Sequence, residues 1–410
     1  MPNNKAIIVL AVAAVIFGSL ALPSPASAAS SEQVLYSFCS TSGCGDGEQP
    51  TAGMIFDKLG NLYGTTTKGG FYGQGTVFEL IPNNGTWTEK VLHSFNANGK
   101  DGYFPAAALI FDAAGNLYGT TVHGGSSSNC YDGCGTVFEL TPGANGKWTE
   151  KILHEFKGAD GDLPDSSLIL DAAGNLYGTT FGGGATDYGL VFELTLSHGK
   201  WTQKVLHEFN GKGGSVPDAG LILDTAGNLY GTTSAGGASN YGLVFQLTLS
   251  NGKWTENVPH EFNGTSGSVP RAGVILDGSG NLYGTTDSGG THISGTVFQL
   301  IPNNGKWTAK VLHNFGSGSD GSFPSADLVR DHAANLYGTT ASGGTYVSGT
   351  LFELIPNNGQ WTESVLHSFG NGTDGAFPSS RVILDSAGNL YGTTESGGAH
   401  GGGAVFEVTP

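Results

Sequence analysis

Basic residues are scarce in this chain. Seventeen lysines and arginines stand against 34 aspartates and glutamates, the formal charge is −17, and arginine is confined to Arg271, Arg330 and Arg381. That balance excludes the clustered cationic surface a phosphate backbone demands, so no nucleic acid is expected as a partner. Long apolar runs are missing beyond residue 22, and the mature chain offers no candidate membrane span. Helical periodicity is missing too, which removes leucine-rich, ankyrin and helical solenoids. No His-Glu-x-x-His occurs, no Gly-x-Ser-x-Gly sits at a strand-to-helix elbow, and the glycine-rich loops lack a Walker lysine. No cofactor is expected.

Cysteine is nearly absent as well. The four present form two short-range pairs, Cys39/Cys44 and Cys130/Cys134, and each pair is expected to close a disulfide across one loop. A zinc site using all four would need loops from different repeats to converge, and nothing around them resembles a zinc ribbon.

The N-terminus carries a leader pattern. Met1 to Lys5 has one positive charge, Ala6 to Leu22 is almost wholly apolar, and Ala26-Ser27-Ala28 is a small-x-small cleavage signal. Residues 1–28 read as a secretory signal peptide, and 29–410 as the mature domain. The other reading is an uncleaved membrane anchor. A secreted protein, periplasmic or extracellular, is expected, and a monomer.

Self-similarity dominates the remainder. Asn-Leu-Tyr-Gly-Thr-Thr begins at Asn61, Asn116, Asn175, Asn228, Asn281, Asn335 and Asn389, a repeat of roughly 54 residues. Around each copy lie an apolar run ending in Asp, such as Leu109 to Asp112, a Val-Phe-Glu-Leu segment, such as Val77 to Leu80, and a Trp-Thr-x-x-Val-Leu-His-x-Phe segment, such as Trp87 to Phe95. All four are short, rich in β-branched and aromatic residues, and bounded by Gly, Pro, Asn and Asp, as strands are. Four strands in fifty-odd residues predict a propeller blade, and seven copies an all-β, seven-bladed β-propeller of four-stranded antiparallel blades. The first mature segment, Val34 to Phe38, is a fourth strand without its first three, and Val405 to Val408 is a third strand without its fourth. The N-terminal strand is therefore expected to close the last blade and remove the open edge.

If the borrowed strand is outermost, the apolar run is strand A, lining the axis and buried on both faces, Asn-Leu-Tyr-Gly-Thr-Thr is B, Val-Phe-Glu-Leu is C and Leu-His-x-Phe is D. The A–B and C–D turns then share one regular rim. They carry Asp-x-x-Gly-Asn and Asn-Gly, both turn formers. In the sixth copy Ala334 replaces the glycine, at a cost of roughly 1 kcal/mol if φ stays positive. The longer, variable B–C and D–A loops share the opposite rim, where a site on a rigid scaffold is expected.

These pieces together resemble the bacterial GloVer (Gloeobacter–Verrucomicrobium) tandem-repeat family over the whole mature chain. The resemblance implies an exported propeller-like protein without an assigned activity. Members differ in C-terminal surface anchors, and no sorting tail is expected after Pro410.

Most suggestive residues read as architecture. His93, His154, His207, His260, His313 and His367, with Tyr36 in the seventh copy, sit on different blades and cannot converge on one metal. Asp57, Asp112, Asp171, Asp224, Asp277, Asp331 and Asp385 belong to the A–B turn. Asp46, Asp101, Asp160, Asp320 and Asp374 precede Pro50, Pro105, Pro164, Pro324 and Pro378 in D–A loops, while two blades read Gly213-Gly214 and Ser266-Gly267. One carboxylate per blade is too few for calcium, and no metal is expected. Arg271 and Asp218 share one register position of neighbouring blades, as do Arg381 and Asp327, which predicts inter-blade ion pairs. Arg330 has no such partner and is a candidate for a carboxylate ligand.

The least repetitive side chains are the candidate ligand-binding set: Lys68, Phe71, Tyr72, His123, Tyr131, Phe181, Tyr188, Tyr241, Asp287, His292, Tyr346, Glu395 and His400, together with Arg330. An aromatic rim can stack on sugars or grip a protein. The expectation is an exported, non-catalytic binding or scaffold propeller with a saccharide or protein ligand on the B–C/D–A rim. The alternative is a polysaccharide lyase or glycosidase, for which His123, His292, His400, Asp287 and Glu395 are the obvious candidates.

Overall fold

The computed structural model describes residues 30–410, and the expected signal peptide lies outside the described residues. Seven four-stranded antiparallel sheets follow one another along the chain. In blade 1 they comprise Ile55–Phe56 (A), Leu62–Thr66 (B), Thr76–Asn83 (C) and Thr86–Ser94 (D). Blade 7 is completed by Ser31–Ser37, which pairs antiparallel with Ala404–Thr409. Closure is as expected, with the paired segment shifted towards the N-terminus: Ser31 already faces Thr409. Phe38 lies just past the ladder and donates its N–H to Gly403 O at 2.9 Å.

Strand A departs from the expected doubly buried strand. Only two of its residues join the ladder, for example Ile55 with Tyr63 and Phe56 with Leu62. The residue before them is buried, as Met54 and Leu109 are, but Leu223 and Leu276 are exposed. An innermost strand has one side towards the axial cavity, and that side is not covered.

The repeat motifs encode the joints between blades. The D-strand Phe packs edge-on against the C-strand Phe of the next blade, as in Phe95 with Phe138 at 5.2 Å. The ring closes with Phe369 against Phe406 and Phe38 against Phe78. The glycine of Leu-Tyr-Gly-Thr-Thr makes room for this Phe: a Cβ at Gly64 would lie 2.6 Å from Phe78 Cζ. The next residue ties neighbouring blades, Thr65 Oγ1 donating to Ala107 O and, across the closure, Thr393 Oγ1 to Ala52 O.

The A–B rim is a repeated hydrogen-bond network. Asp112 Oδ1 accepts the N–H groups of Ala114 and Asn116, and its Oδ2 accepts Asn116 Nδ2 and the Tyr118 hydroxyl. That hydroxyl also reaches Glu139 on strand C. In blades 4 and 5 Gln246 and Gln299 stand in for the glutamate and donate to the tyrosine oxygen instead. Burial alone would push Asp112 upward, but the accepted hydrogen bonds outweigh it and hold the carboxyl below its usual range. Ala334 has φ 74°, the strained left-handed conformation expected for it. The C–D turns place both Asn84 and Gly85 at positive φ, as a two-residue hairpin requires.

Candidate functional site

The opposite rim is assembled by the residue preceding each D–A proline. Gln49, Phe104, Leu163, Val216, Val269, Phe323 and Phe377 all have φ between 55° and 61°. β-Branched residues are costly there, so Val216 and Val269 mark backbone that its surroundings over-determine. The clamp is visible in the hydrogen bonds. Val269 N–H donates to Tyr241 O on the preceding blade, and Val269 O accepts from Asp287 N on its own blade. The same reciprocal brace recurs at the other six, so every B–C loop is fixed by two D–A loops.

The expected site residues fall into three groups. The first occupies B–C loop tips. Phe71 and Tyr131 are 83% and 91% exposed, Tyr72 packs edge-on against Phe71, and Tyr188, Tyr241, Tyr346, His292 and His400 are also exposed, as is Lys68 just before the blade 1 tip. Tyr188 and Tyr241 lie over Gly211 and Gly264 of their D–A loops, leaving part of each ring open. The second group, Phe181, Asp287 and Glu395, begins the B–C loops and donates N–H to the braced residues Leu163, Val269 and Phe377. His123 is half-buried against Tyr103 and Phe104, and burial lowers its pKa. Arg330 forms the third group alone. It pairs with Leu336 beside the A–B turn and so lies towards the other mouth of the channel. The five candidates for catalysis belong to blades 2, 5 and 7, and among the described residues no polar contact joins their side chains.

Every exposed phenylalanine or tyrosine among the described residues lies on this rim. Besides Phe71, Tyr72, Tyr131, Phe181, Tyr188, Tyr241 and Tyr346, the set includes Phe323 and Phe377, two of the braced D–A residues. The tryptophans of the D strands are half-buried.

Beneath the rim the strand A approaches enclose an axial cavity of about 290 Å³, lined by small and aliphatic residues and by Asp165, Asp218, Arg271, Asp327 and Arg381. Arg271 Nη1 is 3.4 Å from Asp218 Oδ2 across the blade joint, as the shared register predicted. The equivalent pair does not form: Asp327 Oδ1 instead accepts the Gly273 N–H at 2.6 Å, and no ion pair joins Asp327 to Arg381. Burial, reinforced by Asp218, pushes Asp165 up to about 8. Burial also raises Asp218, to about 6, with Arg271 holding it from rising further.

A further set of contacts was hidden in the sequence. At the outer seams the D-strand His meets the D–A Asp of its own blade and a Glu from the D strand of the next blade. In blade 1 these are His93, Asp101 and Glu150, the last on Trp148–Glu155 of blade 2. Corresponding positions hold Tyr36, Asp46 and Glu89 at the closing seam, His313, Asp320 and Glu363 after blade 5, and His367, Asp374 and Glu32 after blade 6. Gln203 replaces the Glu after blade 2, and after blade 4 the Asp and Glu positions are Ser266 and Ala309. The glutamate of Trp-Thr-Glu was the signal available. What conceals the contact is a bulge: Val77 faces His93 and Phe78 faces Val91, so Leu92 is extra. Without it Glu89 and His93 would share a face. With it Glu89 turns to the preceding seam and His93 to the following one.

Both expected disulfides, Cys39–Cys44 and Cys130–Cys134, are formed. No helix among the described residues is long and apolar enough to cross a membrane.

The profile of the Gloeobacter/Verrucomicrobia repeat family matches residues 24–223, 127–334 and 220–410. No curated protein matches the chain. Among solved structures it is similar to a putative 6-phosphogluconolactonase from Bacteroides uniformis, with TM-score 0.52 and 13% identity over 81% of this chain and 88% of that one. A second putative 6-phosphogluconolactonase, from Bacteroides fragilis, gives TM-score 0.52 and 15% identity over 81% and 86%. Likeness at such identity is one of fold alone.

Proposed function

The chain belongs to the Gloeobacter/Verrucomicrobia repeat family, and from that premise we propose that it is an exported, non-catalytic binding propeller that takes a neutral saccharide on its B–C/D–A rim. The carrying observation is the confinement of all exposed phenylalanine and tyrosine rings among the described residues to that rim. Elsewhere the repeat buries its aromatics between blades. Rings held open on braced, glycine-rich loops present the flat apolar faces on which sugar C–H groups stack. Their distribution over several blades suits a polymer contacted at several points, where weak individual contacts add through linkage. The charge of −17 favours a neutral glycan over an anionic one. Placement of the potential catalytic side chains on three separate blades supports binding without turnover. Disulfide bonding and the leader pattern of residues 1–28 support export.

A glycan array probed with folded mature protein tests the reading. Neutral polysaccharide should be retained, and Tyr131→Ala and Phe71→Ala should each weaken it by roughly tenfold, the loss of one stacked ring. Absence of any glycan binding by folded protein would overturn the saccharide assignment. Retention of a protein partner in its place would move the ligand to that class.

A further inference from the structure

Among the described residues, the seam between blades 1 and 2 is the only one that brings a His, an Asp and a Glu ligand atom within 4.8 Å of one another. His93 Nε2 lies 3.5 Å from Asp101 Oδ2 and 3.7 Å from Glu150 Oε2, and one ligand atom from each of the three residues falls within 4.8 Å of the others. No hydrogen bond closes between the imidazole and either carboxylate. His93 Nε2, Asp101 Oδ1 and Glu150 Oε1 are buried without a partner, as are His154 Nε2, His207 Nε2 and the Oε1 atoms of the other seam glutamates; Asp101, nine-tenths buried, accepts the Asn96 N–H on its Oδ2 at 3.0 Å. In the two other seams with a full His, Asp and Glu set, the imidazole instead closes a hydrogen bond to its aspartate, at 3.2 Å in His313–Asp320 and 2.9 Å in His367–Asp374.

A buried polar atom without a partner is costly, and an ion held between the three side chains would give the His93 nitrogen one. The spacing indicates which. Zinc bonds to nitrogen and carboxylate oxygen of about 2.0–2.1 Å place neighbouring tetrahedral ligands about 3.3–3.4 Å apart. The two separations from His93 Nε2 are slightly longer than that edge and contract to it with small rotations of the side chains. A divalent cation would neutralise both carboxylates.

We propose that His93, Asp101 and Glu150 form a zinc site, completed by water, which ties blade 1 to blade 2 at the outer end of the seam. The site is independent of any ligand on the rim. Of the six other seams, three lose a carboxylate at Gln203, Gly213 and Ser266, the closing seam has Tyr36 for the imidazole, and the remaining two close an imidazole–aspartate hydrogen bond instead.

Chelator-treated mature protein titrated with Zn²⁺, and in parallel with Co²⁺, tests the assignment. One equivalent should bind, Co²⁺ should develop the visible absorption of a tetrahedral site, and zinc should raise the unfolding temperature. Glu150→Gln copies the natural Gln203 and should still fold. It should weaken zinc by more than the roughly 10–100-fold that outer partners of a metal site cost, and abolish the cobalt band. Glu363→Gln, in a seam whose imidazole is already hydrogen-bonded, should leave both unchanged. Absence of saturable binding to the folded protein would overturn the site, and so would equal losses in the two variants or full retention in Glu150→Gln.

Discussion

The two rims of this propeller arise from the same seven copies of one repeat and treat their carboxylates differently. On the A–B/C–D rim each turn aspartate is surrounded by donors, and Asp112, Asp171, Asp224, Asp277 and Asp385 are all held below the usual carboxylate range. Towards the B–C/D–A rim, and along the seams, Asp46 and Asp160 also accept hydrogen bonds and are held low, but several other carboxyls are buried without enough donors. Glu89 is pushed up to about 8, Asp165 to about 8 and Glu32, Glu256 and Glu363 to about 7. One rim uses negative charge as a structural acceptor. The other also leaves several carboxyls buried without donors, at a cost in free energy.

The sharpest way to break the contrast is to remove a donor-satisfied aspartate. Asp112→Ala strands the N–H groups of Ala114 and Asn116 and frees the Tyr118 hydroxyl. We expect a loss of about 2–3 kcal/mol in urea unfolding, the range for hydrogen bonds to a charged acceptor. A loss under about 0.5 kcal/mol, as for an ordinary surface substitution, would show that the regular rim is not a stabilising one.

Acidity separates the rims without mutation. Glu32, Glu89, Glu150, Glu256 and Glu363 bind their protons more tightly folded than unfolded. Their contribution is fully present below the ordinary glutamate pKa and is lost as pH rises through about 7 to 8. The turn aspartates do the reverse: their contribution is present above the ordinary aspartate pKa and is lost as pH falls through their depressed values. The unfolding temperature of metal-free protein should therefore peak near pH 5, declining both towards pH 8 and below pH 4. A monotonic rise to pH 8 would contradict the raised seam carboxyls.

A smaller effect tests the regular rim from its one flawed copy. Ala334→Gly should stabilise by about 0.5–1 kcal/mol, relief of the left-handed conformation being partly offset by the freer unfolded chain. Unchanged or reduced stability in urea unfolding would mean that the surrounding turn has already absorbed the strain.

How far the sequence was legible follows the same division. Asn-Leu-Tyr-Gly-Thr-Thr recurs because Gly64 and its equivalents sit against a core phenylalanine and the next residue, Thr65, ties the blades, so one motif stated both fold and ring. Matched broken ends stated the closure. Register arithmetic found Arg271–Asp218, because equal positions on adjacent blades are neighbours. The same arithmetic failed for Arg381 and Asp327, because the latter is already engaged by a backbone N–H. The seam triads were illegible for a different reason. Their formation depends on a one-residue bulge at Leu92, and side-chain alternation read along the strand assigns His93 and Glu89 to one face. Arg330 was placed with the rim loops although its position, one residue before the turn aspartate, puts it at the other mouth.

The least disruptive test is the one that separates stability from binding. Tyr131 is almost fully exposed on its loop tip, and among the described residues its hydroxyl makes no hydrogen bond. Tyr131→Ala should therefore change stability by no more than about 0.5 kcal/mol, the ordinary range for a surface substitution. A structural aromatic of this repeat behaves otherwise: truncating a fully buried ring such as Phe138 should cost about 3–5 kcal/mol. An exposed ring that contributes nothing to folding and is accompanied by others on one rim supports the binding role proposed for that rim. If Tyr131→Ala destabilised the propeller as Phe138→Ala does, that ring would be part of the fold, and the distinction between the two rims would lose its functional meaning.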